Sequence, residues 1–270
     1  MKKKIYYWGP FLDNVATVKA ILNSAYSMNK YSKFFETSII NAVGEWDKIS
    51  LDTKKENLNF IDFKNKFYKK LPRYGFYLSR ISYLIIFFKS FFPLKNLILR
   101  DKPDFLIIHL IVSLPLILFK LFNFKTKLCL RISGKPKLNF IRKIIWKFSS
   151  DKIHLVFCPT QETREILIKE KIFNSKVLVL YDPIIDQKAL TRKKNEKILD
   201  KKNFKKDNII MLGRLTKQKN YPLIINIFQS LLKLNPGLCL NIFGEGELKD
   251  YLFNLIKKKG LGKNFFFYCY

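Results

Sequence analysis

A short basic turn, residues 213–219, carries the side chains whose types and spacing are best suited to chemistry. An apolar run beginning at Asn208 ends in Gly213, Arg214 follows at once, and Lys219 comes five residues later. A glycine allows a sharp turn, Arg grips phosphate oxygens through its planar fork, and Lys acts as a point charge. A helix predicted to start near Asn220 would aim its N–H groups at the same place. The pattern indicates a diphosphate site, and a solvated basic turn is the alternative.

Alternating strand and helix patterns extend beyond this turn. Apolar residues spaced three or four apart predict a helix over 221–234, and Asn235-Pro236-Gly237 ends it. A short strand follows, and Gly244-Glu245-Gly246 makes a second tight turn from a strand into a helix. A third strand is predicted at 265–268. Such alternation favours a parallel sheet, whose ligands bind at the carboxyl ends of the strands, where both glycine turns lie.

In this order, the motifs resemble the donor domain of GT-B glycosyltransferases, in particular the retaining group called glycosyl transferases group 1 (family 4). The resemblance rests on residues 213–221, 235–236, 240–246 and 260–264. It implies that Gly213, Arg214 and Lys219 hold the diphosphate of a nucleotide-sugar donor. It also implies a donor-side role for the turn at Gly244, Glu245 and Gly246. The reaction implied is a metal-independent sugar transfer in which the nucleotide-sugar is a substrate and no cofactor takes part.

The upstream half resembles the acceptor-side domain of the same family more loosely. Strands are predicted at 3–8, 37–42, 58–62, 105–110, 127–132, 155–159 and 177–180. Acceptor-side loops are expected where strands end, at Gly9 and at Ser133-Gly134. His109 also ends a strand, so it is a candidate catalytic residue, with a structural role as the alternative. The family often has a histidine where Ser133-Gly134 stands here, so a catalytic histidine cannot be carried over to that position.

We therefore expect an α/β, GT-B-like fold with two Rossmann-like parts. Residues 1–186 would form the acceptor-side domain, the lysine-rich stretch 187–206 a solvated linker, and residues 207–270 an incomplete donor domain. The family's pair of glutamates seven residues apart belongs to a region beyond Tyr270. The sequence thus reads as a C-terminally truncated chain, and its third donor-domain strand is expected to be an apolar edge.

The charge balance points to an anionic partner. The chain has 51 Lys and Arg against 21 Asp and Glu, a formal net charge of +30, which suits nucleic acid, anionic lipid or a phosphorylated substrate. Nucleic acid is unlikely, because no RNA-binding signature accompanies the basic stretches. Four widely spaced cysteines show no metal-ligand spacing and indicate buried thiols in a reducing cytoplasm.

Two stretches suggest contact with an anionic membrane surface. Residues 63–92 interleave cations with aromatic side chains, which suits the headgroup layer. Residues 138–148 form a second candidate, although its apolar positions, Leu138, Ile141, Ile145 and Phe148, favour an ordinary helix packed on the sheet. The longest apolar run, 105–119, is shorter than the roughly 20 residues of a spanning helix. We expect a peripheral protein at the inner face of the plasma membrane.

Taken with the resemblance, these features predict a glycosyltransferase. It would move a sugar from a nucleotide-diphosphate donor to a lipid-linked or polysaccharide acceptor during cell-envelope glycan assembly, such as lipopolysaccharide synthesis. A catalytically inactive fragment of such an enzyme is the alternative, and a basic nucleic-acid-binding protein is a further one.

Overall fold

The computed structural model describes residues 2–12, 16–52, 58–72, 76–183, 187–196 and 208–268. The chain divides into two compact units, an N-terminal unit of residues 1–190 and a C-terminal unit of residues 191–270. Each unit contains its own sheet, and every strand pair in both sheets is parallel. The predicted α/β fold with two parallel sheets is confirmed.

The N-terminal unit is built on a seven-stranded sheet with the order β3-β2-β1-β4-β5-β6-β7. Its strands are β1 (Lys3–Trp8), β2 (Phe35–Asn41), β3 (Asn59–Asp62), β4 (Phe105–Ile108), β5 (Lys127–Arg131), β6 (Ile153–Cys158) and β7 (Lys176–Val179). The central strands are buried on both faces, so they read in sequence as nearly continuous apolar runs. This explains why the sequence pattern predicts all seven.

Helices cover the two faces of this sheet unequally. They are α1 (Ala16–Tyr31), α2 (Asp47–Asp52), α3 (Phe76–Asp101), α4 (Ser113–Leu121), α5 (Phe140–Phe148) and α6 (Gln161–Lys169). Helices α3 to α6 supply side chains to one large core against Trp8 and Leu106 of the sheet. On the opposite face, α1 packs through Ile21 against Ile5 and Ile39. The second face therefore carries the smaller of the two cores.

Helix α3 is an element that the sequence analysis did not predict. It runs for 26 residues through Pro93, where only an interleaved basic and aromatic stretch was recognised. By length and composition its segment Tyr77–Asp101 could cross a membrane, and 33% of its most apolar window is buried. The buried side chains, including Ile86, Leu94 and Ile98, pack on the sheet. One side of α3 thus belongs to the core of the N-terminal unit.

The predicted packing face of 138–148 is correct in part: Leu138 and Ile145 pack against the larger core, but Ile141 and Phe148 do not. The buried residue of α5 is Trp146, whose ring lies 5.4 Å from that of Phe173, centre to centre. Ile141 and Phe148, expected to pack on the sheet, are 68% and 62% exposed. Trp146 and Ile145 therefore face the core, and Ile141 and Phe148 lie on the outer side of the helix.

The C-terminal unit has a three-stranded sheet in the order β10-β9-β8. Its strands are β8 (Asn208–Leu212), β9 (Cys239–Phe243) and β10 (Phe265–Tyr268), and its helices are α8 (Tyr221–Leu234) and α9 (Lys249–Lys258). Both helices share one core with the sheet, through residues such as Ile225, Leu240 and Leu252. β10 forms an edge of the sheet, as predicted.

The predicted linker is helical where it is described. Helix α7 spans Gln187–Lys194, and residues 190–196 are exposed; residues 197–206 lie outside the described part of the chain.

Three of the four cysteines, Cys129, Cys158 and Cys239, are buried free thiols, as expected, and Cys269 lies outside the described residues.

A buried carboxylate holds the turn that follows β2. Glu45 is 3% exposed, and its two carboxylate oxygens accept hydrogen bonds from the backbone N–H groups of Ala42 and Val43, at 3.2 and 2.7 Å. Gly44 lies at φ +88° in the same turn, in the left-handed region that favours glycine. Burial raises the pKa of Glu45 from 4.5 to about 7, because removal from water disfavours the charged form.

We predict that the stability of Glu45→Gln rises relative to that of the wild type as the pH increases from 4.5 to 7. In this window the folded wild type retains a proton that the unfolded chain releases, so its stability falls as the pH rises. The difference between Glu45→Gln and wild type should grow by up to about 3 kcal/mol, as measured by urea unfolding across this range. Glu36→Gln, at an exposed position on β2, is the control. A constant difference for Glu45→Gln would contradict the prediction.

Candidate functional site

The predicted diphosphate turn lies at the carboxyl end of β8. Arg214 and Lys219 are both exposed, and neither side chain pairs with a carboxylate among the described residues. The stem of Lys219 passes close to Gly213, with its Cε 3.5 Å from the point where a glycine Cβ would lie. The two cations are thus held near one strand end with their charges directed to solvent.

The two glycine turns of the C-terminal unit are bonded to each other through their backbones. Leu215 N–H donates to the carbonyl of Glu245 at 2.9 Å, and Leu248 N–H donates back to the carbonyl of Leu215 at 3.0 Å. A Cβ on Gly244 would lie 2.1 Å from the Gly213 carbonyl oxygen, and one on Gly246 would lie 2.6 Å from that of Leu215. The sequence-predicted residues of the donor side are therefore brought together in one compact structure.

Tyr221 is a structural member of this site that sequence reasoning missed. Its hydroxyl donates a hydrogen bond to the Gly213 carbonyl at 2.8 Å, and the side chain is 1% exposed. Burial raises the pKa of Tyr221, which keeps the phenol protonated as a donor. Asn220, immediately before it, adopts the left-handed conformation at φ 49° at the N-cap position of α8. The tyrosine thereby ties the start of α8 to the glycine turn.

The acceptor-side candidates lie along one edge of the N-terminal sheet. Gly9 follows β1, His109 follows β4, and Ser133-Gly134 follows β5. Since β1, β4 and β5 are neighbours in the sheet, their carboxyl ends meet at the same edge. A Cβ on Gly9 would lie 2.4 Å from Ile21 of α1 and 3.5 Å from the Cβ of His109. A side chain at position 9 would therefore require the end of the Ile21 side chain to move.

His109 lies inside the N-terminal unit. It is 8% exposed, and neither ring nitrogen has a hydrogen-bond partner. Burial, aided by the positive charge of Arg131, lowers the pKa of His109 to about 3. The imidazole is therefore neutral at physiological pH, with one nitrogen able to donate a hydrogen bond and the other able to accept one.

A buried ion pair next to this histidine gave no signal in the sequence. Arg131, the last residue of β5, pairs through Nη2 with Asp182. The two side chains are 4% and 16% exposed, and Nη1 of Arg131 has no hydrogen-bond partner. The pair connects the sheet to the segment that follows β7, and residues 51 positions apart cannot be matched from spacing alone.

Comparisons with known proteins agree with this geometry. The family model of Glycosyl transferases group 1 matches residues 192–270. The crystal structure of S. aureus TarM superposes with a TM-score of 0.69 at 13% identity, covering 100% of this chain and 77% of TarM. The chain has the GT-B fold, and its residues 192–270 match the group 1 glycosyltransferases. The resemblance inferred from the glycine turns is thereby confirmed.

Two curated relatives of this GT-B chain are themselves glycosyltransferases. The uncharacterized glycosyltransferase MJ1059 of Methanocaldococcus jannaschii is 27% identical over 256 residues, which are 88% of this chain and 59% of the relative. The N-acetylgalactosamine-N,N'-diacetylbacillosaminyl-diphospho-undecaprenol 4-alpha-N-acetylgalactosaminyltransferase of Campylobacter jejuni is 32% identical over 151 residues, 53% of this chain and 39% of that enzyme. The chain thus spans less than two thirds of the length of either relative.

The GT-B fold alone does not fix an activity. The UDP-GlcNAc 2-epimerase of Neisseria meningitidis, solved with bound UDP-GlcNAc, also superposes, with a TM-score of 0.62 at 14% identity over 100% of this chain and 72% of the epimerase. Both kinds of protein share the architecture, so the activity has to be argued from the residues of the site.

We predict that Gly244→Ala destabilises the C-terminal unit by more than about 2 kcal/mol, because the new methyl group overlaps the Gly213 carbonyl and φ is +153°. Hydrogen exchange of backbone amides in 208–268 of the intact chain measures the loss. Gly262→Ala is the matched control: a Cβ there meets nothing within 4 Å, and a change within about 0.5 kcal/mol is expected. Equal protection in both variants would mean that the two turns are not in contact.

Proposed function

We propose that this chain is a sugar transferase that uses a nucleotide-diphosphate sugar as donor. The observation that carries the proposal is the pair of bonded glycine turns that hold Arg214 and Lys219 at the end of β8. Two exposed cations beside a helix start can stabilise the negative charge that builds up on a leaving diphosphate. In this proposal the nucleotide-sugar is the substrate, and no cofactor takes part.

The comparisons favour transfer over epimerisation as the reaction. The group 1 transferase model matches the part of the chain that contains both glycine turns, and both curated relatives carry transferase names. The catalytic role predicted for His109 stays a prediction, and a pKa of about 3 keeps the imidazole neutral at neutral pH, so this side chain would not act there as a cationic general acid. If the chain binds no donor, the alternative of a catalytically inactive form is favoured.

We predict that UDP or another nucleoside diphosphate binds to the wild-type chain and that Arg214→Ala weakens this binding at least about tenfold. A charge-assisted hydrogen bond to phosphate is worth roughly 1.5–3 kcal/mol, and the loss of one accounts for the change. Calorimetry with a panel of nucleoside diphosphates measures it, and Lys219→Ala should show the same direction.

Lys217→Ala supplies the matched control, because Lys217 lies in the same short 3-10 turn as Lys219 and is equally exposed. It should bind nucleotide nearly as wild type does. If all three variants lose affinity to the same extent, general positive charge explains the binding and the specific site is refuted.

For the acceptor we propose a lipid-linked glycan at an anionic membrane surface, at the cytoplasmic face. The C. jejuni relative is named for a diphospho-undecaprenol acceptor. Exposed apolar side chains line the outer side of α3: Tyr77, Leu78, Ile81, Leu84, Phe88 and Phe92. Helix α5 exposes Phe140, Ile141, Ile144 and Phe148. Both helices pack on the same face of the sheet, with α4 touching each of them, so their outer sides face the same way.

Charge on these helices suits an anionic bilayer. Arg80 and Lys89 lie on α3, and Arg142, Lys143 and Lys147 lie on α5. Aromatic rings enter the boundary between headgroups and acyl chains, while long cationic side chains reach the phosphates. This arrangement fits a protein lying on the membrane, because the other side of α3 is occupied by the core of the N-terminal unit.

We predict that the chain co-sediments with anionic vesicles, less so as salt rises, because charge interactions are screened over about 10 Å at 0.1 M. Phe88→Ser should weaken partitioning on the order of tenfold, the effect of one buried aromatic side chain. Phe34→Ser, which removes a ring that is 77% exposed away from these helices, should leave it unchanged. Equal binding to neutral vesicles would rule out the charge contribution.

A further inference from the structure

The outer face of α8 is apolar and exposed. It is formed by Leu223, Ile227, Ser230 and Leu234, which follow one another at intervals of four, three and four residues and so lie along one side of the helix. Leu223 and Ile227 are each 51% exposed, and Leu234 is 84% exposed. The opposite side of α8, which includes Ile225, belongs to the core of the C-terminal unit. The outer face therefore plays no part in holding that core together.

This outer face is poor in charge, although the chain as a whole is strongly basic. Within Tyr221–Leu234 there is no acidic residue, and Lys233 is the one basic residue. A helix that lies on an anionic membrane has cations beside its apolar side chains, as α3 and α5 do. An acidic partner would be drawn to the basic parts of the surface instead. The outer face of α8 thus suits another apolar, uncharged protein surface.

The spacing of the four residues is the same when it is read in either direction along the helix. If two copies of α8 pair antiparallel, Leu223 lies opposite the partner's Leu234, and Ile227 lies opposite the partner's Ser230. Ser230 is small, and its hydroxyl donates a hydrogen bond to the carbonyl of Asn226 in the same helix at 3.4 Å. It therefore leaves room for an isoleucine and needs no partner across the interface. The face is complementary to itself, as a two-fold symmetric interface requires.

Charge favours the antiparallel over the parallel orientation. In a parallel pair the two copies of Lys233 would be side by side, and the basic turns with Lys217 and Lys219 would lie at the same end. In the antiparallel pair the two copies of Lys233 are about 13 Å apart along the axis, at 1.5 Å per residue. This separation exceeds the screening length of about 10 Å at 0.1 M salt, and the two helix dipoles are opposed.

We propose that the outer face of α8 is a dimerisation surface, on which a second copy of this chain packs its own α8 antiparallel. A helix of 14 residues is about 21 Å long, so one helix pair buries less than the roughly 1,600 Å² of a standard interface. The dimer is accordingly weak, with half-maximal association on the order of 10–100 µM. The proposal is independent of sugar transfer, because it uses only the side of α8 that faces away from the core.

Sedimentation equilibrium of the intact chain, at concentrations that bracket this value, tests the proposal. Wild type should dimerise, and more tightly as salt rises, because salt screens the repulsion between copies that each carry +30. Ile227→Glu should weaken dimerisation at least tenfold, since it places an unpaired charge in the interface. Ile168→Glu, at an isoleucine that is 49% exposed on α6, is the matched control and should associate as wild type does.

A double variant tests the antiparallel pairing. Ile227→Glu/Ser230→Lys places each new glutamate opposite a new lysine of the partner, and it should dimerise about fivefold more tightly than Ile227→Glu alone, as expected for two exposed ion pairs. Ile227→Glu/Leu231→Lys has the same charge and an ion pair within its own helix. It should not recover, because its lysine lies opposite the partner's Asn226.

Two results would overturn the dimer itself. A wild type that stays monomeric would leave the outer face of α8 to an unlike partner, and equal dimerisation of Ile227→Glu and Ile168→Glu would place the contact elsewhere. Recovery by both double variants, or by neither, would overturn the antiparallel arrangement.

Discussion

The C-terminal unit depends on one close backbone contact, between the turns at the ends of β8 and β9. The Gly213 carbonyl lies where any side chain at Gly244 would have to begin, so the two strand ends approach as closely as bare backbone allows. Hydrogen bonds through Leu215 then extend the pairing of the strands beyond the sheet itself. Because Tyr221 bonds to the same carbonyl, the position of α8 follows from this contact. The contact thereby fixes the backbone positions of Arg214 and Lys219, whose side chains are exposed.

In the N-terminal unit, helices cover the two faces of the parallel sheet unequally, and this difference governs the rest of the unit. Four helices pack on one face into the larger core, and the other face is packed mainly by α1. The well-covered face has an outer helical layer rich in exposed aromatic and basic side chains, while the less covered face contains an apolar cavity of about 250 Å³. Both features follow from the same arrangement. A sheet whose strands are apolar on both sides needs two layers of cover, and α1 spans only part of the second side.

Local patterns in the sequence are enough to predict the strands and the glycine turns, because each of these depends on a few consecutive residues. They fail where contacts between residues far apart in the sequence determine the structure. The buried stripe of α3 contains Ser82 and Ser90, both fully buried, alongside Ile86 and Leu94, so its apolar period is interrupted and the helix is hidden in the sequence. Ser82 is accommodated because its hydroxyl donates to the carbonyl of Pro72. Likewise, Asp182 gives no sign in sequence that it pairs with Arg131, and the orientation of α5 depends on how Trp146 meets Phe173.

The distribution of charge links these observations. Within the described residues, the ionisable side chains that enter the interior carry little net charge: Asp182 balances Arg131, a pKa of about 3 keeps His109 neutral, and a pKa raised to about 7 leaves Glu45 only partly ionised at neutral pH. The interior therefore contributes little to the net charge of +30, which resides on the surface. Charges on a surface act on partners rather than on the fold. The positive surplus is thus available on the surface to anionic partners. In the proposal made above, these would be the diphosphate of the donor at the turns of the C-terminal unit and lipid headgroups at the outer helices of the N-terminal unit, and a transferase acting on a membrane-bound acceptor would need positive charge at both places.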